Sequence, residues 1–461
     1  MWSGSFGWLP ALIPADAGTF RVTDPVLEEI LVDAGGRLVD GQPPDVEIAE
    51  VSHISGDARL AIARVDPEHQ EGGRLLVAAA IRGRETIRAR LAARRVGKRL
   101  RALGYSETVV VLWDIDQFVH LPGRRVTVRR RAAEFLPQRA LVVGRREDHG
   151  PTVLEAVAEE VSGHVGHAVE YGRPLARQGR MVAVADEHVL RIAIGPGRKK
   201  IKQHEQTLEF LAAAAPSVIK ERVPRLLAAG KLGLGEWSVE ERLSGSAASH
   251  QLGQRLLDEC IDFLVALHNV ALADGGAGTP LLEKAKIVAA ACASTEHRDA
   301  VLELGSNLDA ELSELPRGFG HGDFWTRNLL VTGDRLGAVI DWDSAAPGSL
   351  PLLDLLHLTL SARREKTREY LGEAVVRHQL PWADAGGDEV VDSYCRRLGI
   401  DVDSRLLKWL VFAYWLEHVA YELDYARDRA GRPVWMHNNV EIVLDALDGY
   451  APTRSGTRLF T

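Results

Sequence analysis

Cysteine is scarce. Cys260, Cys292 and Cys395 are odd in number and widely spaced, with no C-x-x-C between them, which excludes a disulfide framework or a zinc site. They read as buried thiols of a reducing cytoplasm, the compartment expected for this chain. No run of about eighteen apolar residues is present, so no transmembrane segment is expected. The start, Met1-Trp-Ser-Gly-Ser-Phe-Gly-Trp8, lacks a basic region and a continuous apolar stretch, so no secretory signal is expected. Positive charge is not in excess. Lys and Arg number 56 against 64 Asp and Glu, and the net charge of −8 argues against a general polyanion binder such as a nucleic-acid protein. No G-x-x-x-x-G-K-[ST] occurs, which counts against a P-loop enzyme. What is present is ordinary globular material. At 461 residues, 46% hydrophobic and 26% charged, the chain has room for two to four domains with ample core.

One stretch organises the rest: His321-Gly-Asp-Phe-Trp-Thr-Arg-Asn328, followed by Ile340-Asp-Trp-Asp343. Asp323, Asn328 and Asp341 form the acid and amide set that phosphoryl transfer needs. One carboxylate takes the proton of an attacking hydroxyl, while an amide oxygen and a second carboxylate hold Mg²⁺ on nucleotide phosphates. The segment between them reads as two short apolar strands around a Gly-Asp turn, a hairpin with Asn328 and Asp341 at its open end. H-G-D-x-x-x-x-N should start by chance at roughly one site in 160,000. The alternative is a capped turn between core strands.

His321-Gly-Asp-Phe-Trp-x-x-Asn328, Ile340-Asp-Trp-Asp343 and Gly348-Ser-Leu-Pro-Leu-Leu-Asp354 together resemble the aminoglycoside phosphotransferase/choline kinase family, over about residues 150 to 461. The resemblance implies an α+β, two-lobed protein-kinase-like fold, with a small antiparallel-sheet lobe at 148–245 and a large helical lobe at 246–461. It also implies an ATP- and Mg²⁺-dependent kinase acting on a hydroxyl of a small molecule. A sugar, an amino sugar such as an aminoglycoside, or an amino alcohol would each serve as acceptor. Asp323 would be the catalytic base and Asn328 and Asp341 the metal ligands. His321 would brace the loop, and Asp354, at a helix start after Pro351, reads as an N-cap or a loop brace. Two readings stand beside this one: a catalytically silent nucleotide-binding module, and a kinase for a protein or envelope-glycan intermediate presented by the N-terminal domain.

Residues 1–147 read as a separate small α+β domain of unknown role. Strands are expected at 75–80 and 109–113, with a basic helix over 84–103 and a second basic stretch at 124–131. A break around 145–151 marks the boundary. Helix is expected over 152–161, strands at 167–171 and 181–185, and between the strands a loop placed to cover phosphates but without G-x-G-x-x-G. Val189–Ile194 is an apolar strand with one charge, Arg191, where a kinase-like lobe holds its phosphate-binding lysine. Lys199 could serve instead. Helix 198–214 places Glu205 at the edge of a stripe made by Ile201, Leu208 and Ala212, and Arg191 is its expected partner. Backbone near Glu240 to Leu243, Glu241 and Leu243 above all, is the expected hinge against adenine. Helices are expected at 251–269, 281–315 and 406–427, with a loop at 435–439. Two alternatives stand for each remaining candidate: phosphate or solvent for Arg327, a second metal contact or a loop acid for Asp343, and an acceptor pocket or the wet edge of a core helix for Glu417 and Glu422.

Overall fold

The structure, a computed structural model, describes residues 47–55, 58–65, 74–81, 107–112, 140–145 and 153–447. The last span has breaks at 170, 172–174, 178–179, 195–196, 233–234, 250–251, 271–277 and 426–429. The basic helix expected over 84–103, the basic stretch at 124–131 and the loop at 172–174 and 178–179 lie outside the described residues. Almost all of the expected boundary at 145–151 does too. The chain divides into two compact units, Met1–Glu205 with Leu226–Arg242, and Gln206–Arg225 with Leu243–Thr461. Sheets and helices are both abundant, so the class is α+β as expected.

In the first unit, β1 (Glu47–Ser55), β2 (Ala58–Val65) and β3 (Arg74–Ile81) form an antiparallel sheet, and β4 (Glu107–Leu112) pairs with β5 (Ala140–Arg145). β3 and β4 are the two strands expected from their apolar runs. A second sheet is antiparallel throughout, in the order β6 (Leu175–Arg177), β7 (Arg180–Val184), β8 (His188–Ile194), β10 (Gly235–Glu241), β9 (Leu226–Leu232). Helix α1 (Val153–Val165) packs on it, with His164 edge-on to the fully buried Trp237 at 5.8 Å. α1 runs four residues past its expected end, and the chain turns at Gly166, so 167–169 carry no strand.

Helix α2 (Gly197–Ala214) forms where expected, but its buried stripe is Ile201, His204, Leu208 and Leu211, spaced three, four and three. Ala212 is exposed, so the inward face is centred on His204 and Glu205 sits at its margin. The buried face is turned by roughly 40° from the expected one, and His204 and Glu205, about 100° apart, fall on either side of its edge.

The second unit is mostly helical. α3 (Gln254–His268) buries Leu256, Cys260, Phe263, Leu264 and Leu267, the stripe read from the sequence. The helix expected over 281–315 is two, α4 (Leu281–Ala291) and α5 (Thr295–Glu311). Ser294 interrupts it, because its hydroxyl accepts the His297 N–H as an N-cap. α6 (Leu353–Thr367) and α7 (Glu389–Leu398) follow. α8 (Ser404–Tyr425) is buried around its whole girth from Trp409 to Leu416, as its all-round apolar composition implies. The segment expected as a loop at 435–439 is helical within Pro433–Asp445. Pro433 opens it, where a missing N–H costs nothing. Asn439 ties it down, accepting from Leu371 N and from the Trp415 indole. Among the described residues, no helix is long and apolar enough to cross a membrane.

Candidate active site

The catalytic stretch runs from β12 (Gly318–Gly320), which pairs with β15 (Ala346–Ser349), into the hairpin β13 (Leu329–Thr332) and β14 (Arg335–Val339), with the short β11 (Ser246–Ala247) paired to β13. Gly333 turns the hairpin at φ 65°. Leu329 pairs with Val339 and Ile340 N–H donates to Asn328 O at 2.9 Å, so Asn328 and Asp341 stand at the same open end, as expected.

Asp354 braces the loop before Asp323. Its Oδ2 accepts from His321 N at 2.7 Å and its Oδ1 from Gly322 N at 2.8 Å. Burial pushes the Asp354 carboxyl up to about 6, against the opposing pull of those two N–H groups. Gly322 has φ 76°, and a Cβ there would lie 2.4 Å from Ser344 O, so only glycine fits the turn. His321 is fully buried against Trp342, ring centroids 4.5 Å apart. Its Nδ1 accepts the Asp323 N–H and its Nε2 donates to Ile340 O at 3.1 Å, which links the loop to the hairpin end.

The Asp323 side chain is one-third exposed, and both of its oxygens are held. Oδ2 lies 3.1 Å from Asn328 Nδ2, and Oδ1 lies 3.2 Å from Nε2 of His357 on α6. Asn328 Nδ2 also donates to Asp323 O at 2.9 Å. Both partners of that nitrogen are acceptors, which fixes the amide orientation and turns its oxygen away from Asp323. Asp341 takes up left-handed backbone, φ 68° and ψ 61°, a conformation that costs a non-glycine residue about 1–2 kcal/mol. It is followed by the short turn of helix Trp342–Ser344, anchored by the indole of Trp342 on Val339 O. Strain of this kind concentrates at functional positions.

The donor chemistry fits a hard divalent cation: one carboxylate and one amide oxygen, with phosphates and water supplying the remainder. Among the described residues, no group of three or more His, Cys, Asp or Glu side chains is gathered as a metal cluster, and a cation shared with phosphates does not need one. Asp343 is buried at 2% exposure. Arg327 is exposed, stacks over Trp325 and donates to Glu365 at 2.7 Å. Glu417 forms an ion pair of 2.6 Å with Lys284, joining α8 to α4, and Glu422 is half-buried on α8.

In the first unit Arg191 is buried at 6% exposure and is paired with the carboxylate of Glu240, a residue the sequence marked only for its backbone at the hinge. Glu240 Oε1 receives Arg191 Nη2 at 2.9 Å and Nε at 3.3 Å, while its Oε2 bonds to His204 of α2. Strand register creates this pair. Ser238 lies opposite Arg191, which leaves Glu240 diagonal to it on the same face. Burial alone would push the Glu240 carboxyl up, but the charges of Arg191 and His204 and hydrogen bonds from both hold it down to about 2. Glu205, the expected partner of Arg191, has Lys202 Nζ at 4.0 Å. Lys199 is exposed. Glu241 ends β10, and the first unit ends one residue later at Arg242, where Leu243 begins the second unit's longer segment.

Residues 176–390 match the model of the phosphotransferase enzyme family. No curated protein matches the chain. Among solved structures, aminoglycoside phosphotransferase APH(3'')-Id from Streptomyces rimosus is 16% identical, covers 57% of this chain and 98% of its own, and has a TM-score of 0.40. The streptomycin–ATP complex of APH(2'')-IIa is 13% identical, with 62% and 97% covered and a TM-score of 0.44. A putative fructosamine-3-kinase from Haemophilus somnus is 10% identical, with 63% and 96% covered and a TM-score of 0.42. The family match, not these distant overlaps, assigns the class, which is a phosphotransferase. The match spans somewhat less than half of the chain, and both Arg191 and the whole His321–Asp343 segment fall inside it.

Proposed function

We propose that the chain is an ATP- and Mg²⁺-dependent O-kinase that transfers the γ-phosphate to a hydroxyl of a small molecule such as a sugar, an aminoglycoside-like amino sugar or an amino alcohol. The observation that carries this reading is Asp323, one-third exposed and held at both oxygens beside Asn328. In the reaction an Asp323 oxygen accepts the proton of the acceptor hydroxyl. The freed oxygen forms a bond to the γ-phosphorus as the bond to the β,γ-bridging oxygen breaks, and ADP leaves. Asn328 and Asp341 would hold Mg²⁺, which offsets charge on the phosphate oxygens when bound. Asp343 is the candidate for a further metal contact. Arg191, fixed by Glu240, is proposed for the nucleotide phosphates, and backbone near Glu241 and Leu243 for adenine.

A two-lobed protein-kinase-like body, with lobes at 148–245 and 246–461 behind an N-terminal domain, is the fold proposed with this function. The three free, buried thiols fit a cytoplasmic setting. Calorimetric titration with ATP, with and without Mg²⁺, followed by turnover against a panel of sugars, aminoglycosides and amino alcohols, tests the reading. Expected are Mg²⁺-enhanced ATP binding, weakened in Asp341→Ala, and turnover stimulated by a panel member. Failure to bind nucleotide would refute it, and binding without any turnover would favour the silent module.

A further inference from the structure

In the sequence His357 is one polar residue in the apolar run Leu355-Leu-His-Leu358 and reads as helix core. The structure gives its ring two directed hydrogen bonds. Nε2 lies 3.2 Å from Asp323 Oδ1, and Nδ1 lies 3.1 Å from the Tyr414 hydroxyl on α8. An ionised carboxylate only accepts, so Nε2 carries the proton. In the neutral ring Nδ1 is then the acceptor, and the Tyr414 O–H donates to it. The chain of donation runs one way, from Tyr414 through His357 to Asp323. His418 stacks on the His357 ring with centroids 4.4 Å apart, and its Nδ1 donates to Tyr414 O at 3.0 Å, which closes the aromatic wall behind the carboxylate. Burial, then Arg364 and His321, pushes the His357 imidazole down to about 3, in keeping with a neutral ring.

We propose that His357 is a positioning residue for the Asp323 carboxylate, held in its Nε2-protonated tautomer by Tyr414. This rests on the reading of Asp323 as the base. Asp323 has two free side-chain torsions. Donors on both oxygens, Asn328 Nδ2 on Oδ2 and His357 Nε2 on Oδ1, set both of them. Without His357 the carboxylate can rotate about Cβ–Cγ and lose its aim at the acceptor oxygen, and displacements of an ångström cost up to about a hundredfold in rate. Asn328 is tied to the loop by its own bond to Asp323 O, so it does not substitute for the lost donor.

The test is steady-state MgATP hydrolysis by the full chain with water as acceptor, comparing wild type with His357→Phe, His357→Gln and Tyr414→Phe. The proposal expects His357→Phe to lower kcat on the order of tenfold to a hundredfold while KM for ATP stays within about twofold. His357→Gln, which keeps an N–H donor, should regain part of the loss, and Tyr414→Phe should lose less than His357→Phe. Nitrogen-15 NMR of the histidine rings supplies a second readout independent of turnover, with a neutral Nε2–H form expected for His357 at pH 7. Wild-type turnover with an unchanged or raised kcat in His357→Phe overturns this inference alone, as does an Nδ1–H or doubly protonated ring. A KM rise that accounts for the whole loss, equal in the Phe and Gln variants, assigns His357 a merely structural part and also overturns it. No wild-type turnover with water or with any sugar, aminoglycoside or amino alcohol of the panel overturns the reading of Asp323 and this inference with it.

Discussion

Lowering the pH from 7 to 5 should destabilise the chain, and the amount can be worked from three buried groups. His357 and His418 both lie near 3, each held down chiefly by burial, with Arg364 and His321 adding for His357 and His357 itself adding for His418. In the unfolded chain each ring takes a proton near its ordinary 6.5, so on unfolding below that value each binds a proton that the folded state refuses. A depressed histidine therefore weakens the fold as pH falls through about 6.5 and continues to do so toward 3. Between pH 7 and 5 this costs about 2 kcal/mol per ring. Asp354 acts in the opposite sense. Raised by burial to about 6, it binds a proton in the folded state over the same interval while the unfolded carboxyl, near 3.8, does not, which stabilises by about 1 kcal/mol. The two rings win, and the net loss is on the order of 2–3 kcal/mol. Burial also lowers His268, which adds in the same direction. Urea unfolding followed by tryptophan fluorescence at the two pH values measures it, and His418→Leu should remove about 2 kcal/mol of the pH dependence. Equal or greater stability at pH 5 would refute the reasoning.

Two further perturbations follow from the packing. Glu240→Ala removes the carboxylate that joins Arg191 to His204, all three buried, and should cost about 3 kcal/mol, read as a drop in the urea midpoint. Because the paired Glu240 is held down to about 2, the stability it provides should be complete above about pH 4.5 and fade as pH falls toward 2. Gly322→Ala places a methyl group 2.4 Å from Ser344 O at a positive φ, and should lose at least about 1–2 kcal/mol together with most activity. Full activity with unchanged stability would show that the loop has another conformation.

Much of the second unit was legible because its signals are local. The Gly-Asp turn between alternating apolar runs set the β13–β14 hairpin, and the hairpin set Asn328 beside Asp341. The all-round apolar composition of 406–427 announced a buried helix. What escaped depends on pairing and phase. Glu240 stands 49 residues from Arg191, and only the β8–β10 register brings it there. His204 and Glu205 are neighbours whose fates differ by one step of helix rotation. Choosing Ala212 in place of Leu211 to define the stripe turned the expected face toward Glu205. His357 carried no signal of its own, since a histidine among leucines is what a satisfied core residue looks like. Its meaning comes from Asp323, 34 residues away. The loop expected at 435–439 became helix because Asn439 finds buried partners on 371 and 415 that no local pattern reveals.

The most direct measurement is Mg²⁺-dependent ATP turnover by wild type beside Asp323→Ala, with ATP binding followed in parallel. The account predicts that Asp323→Ala binds ATP as wild type does and loses on the order of 10²–10⁴-fold in kcat. Turnover that survives in Asp323→Ala at the wild-type rate would contradict it.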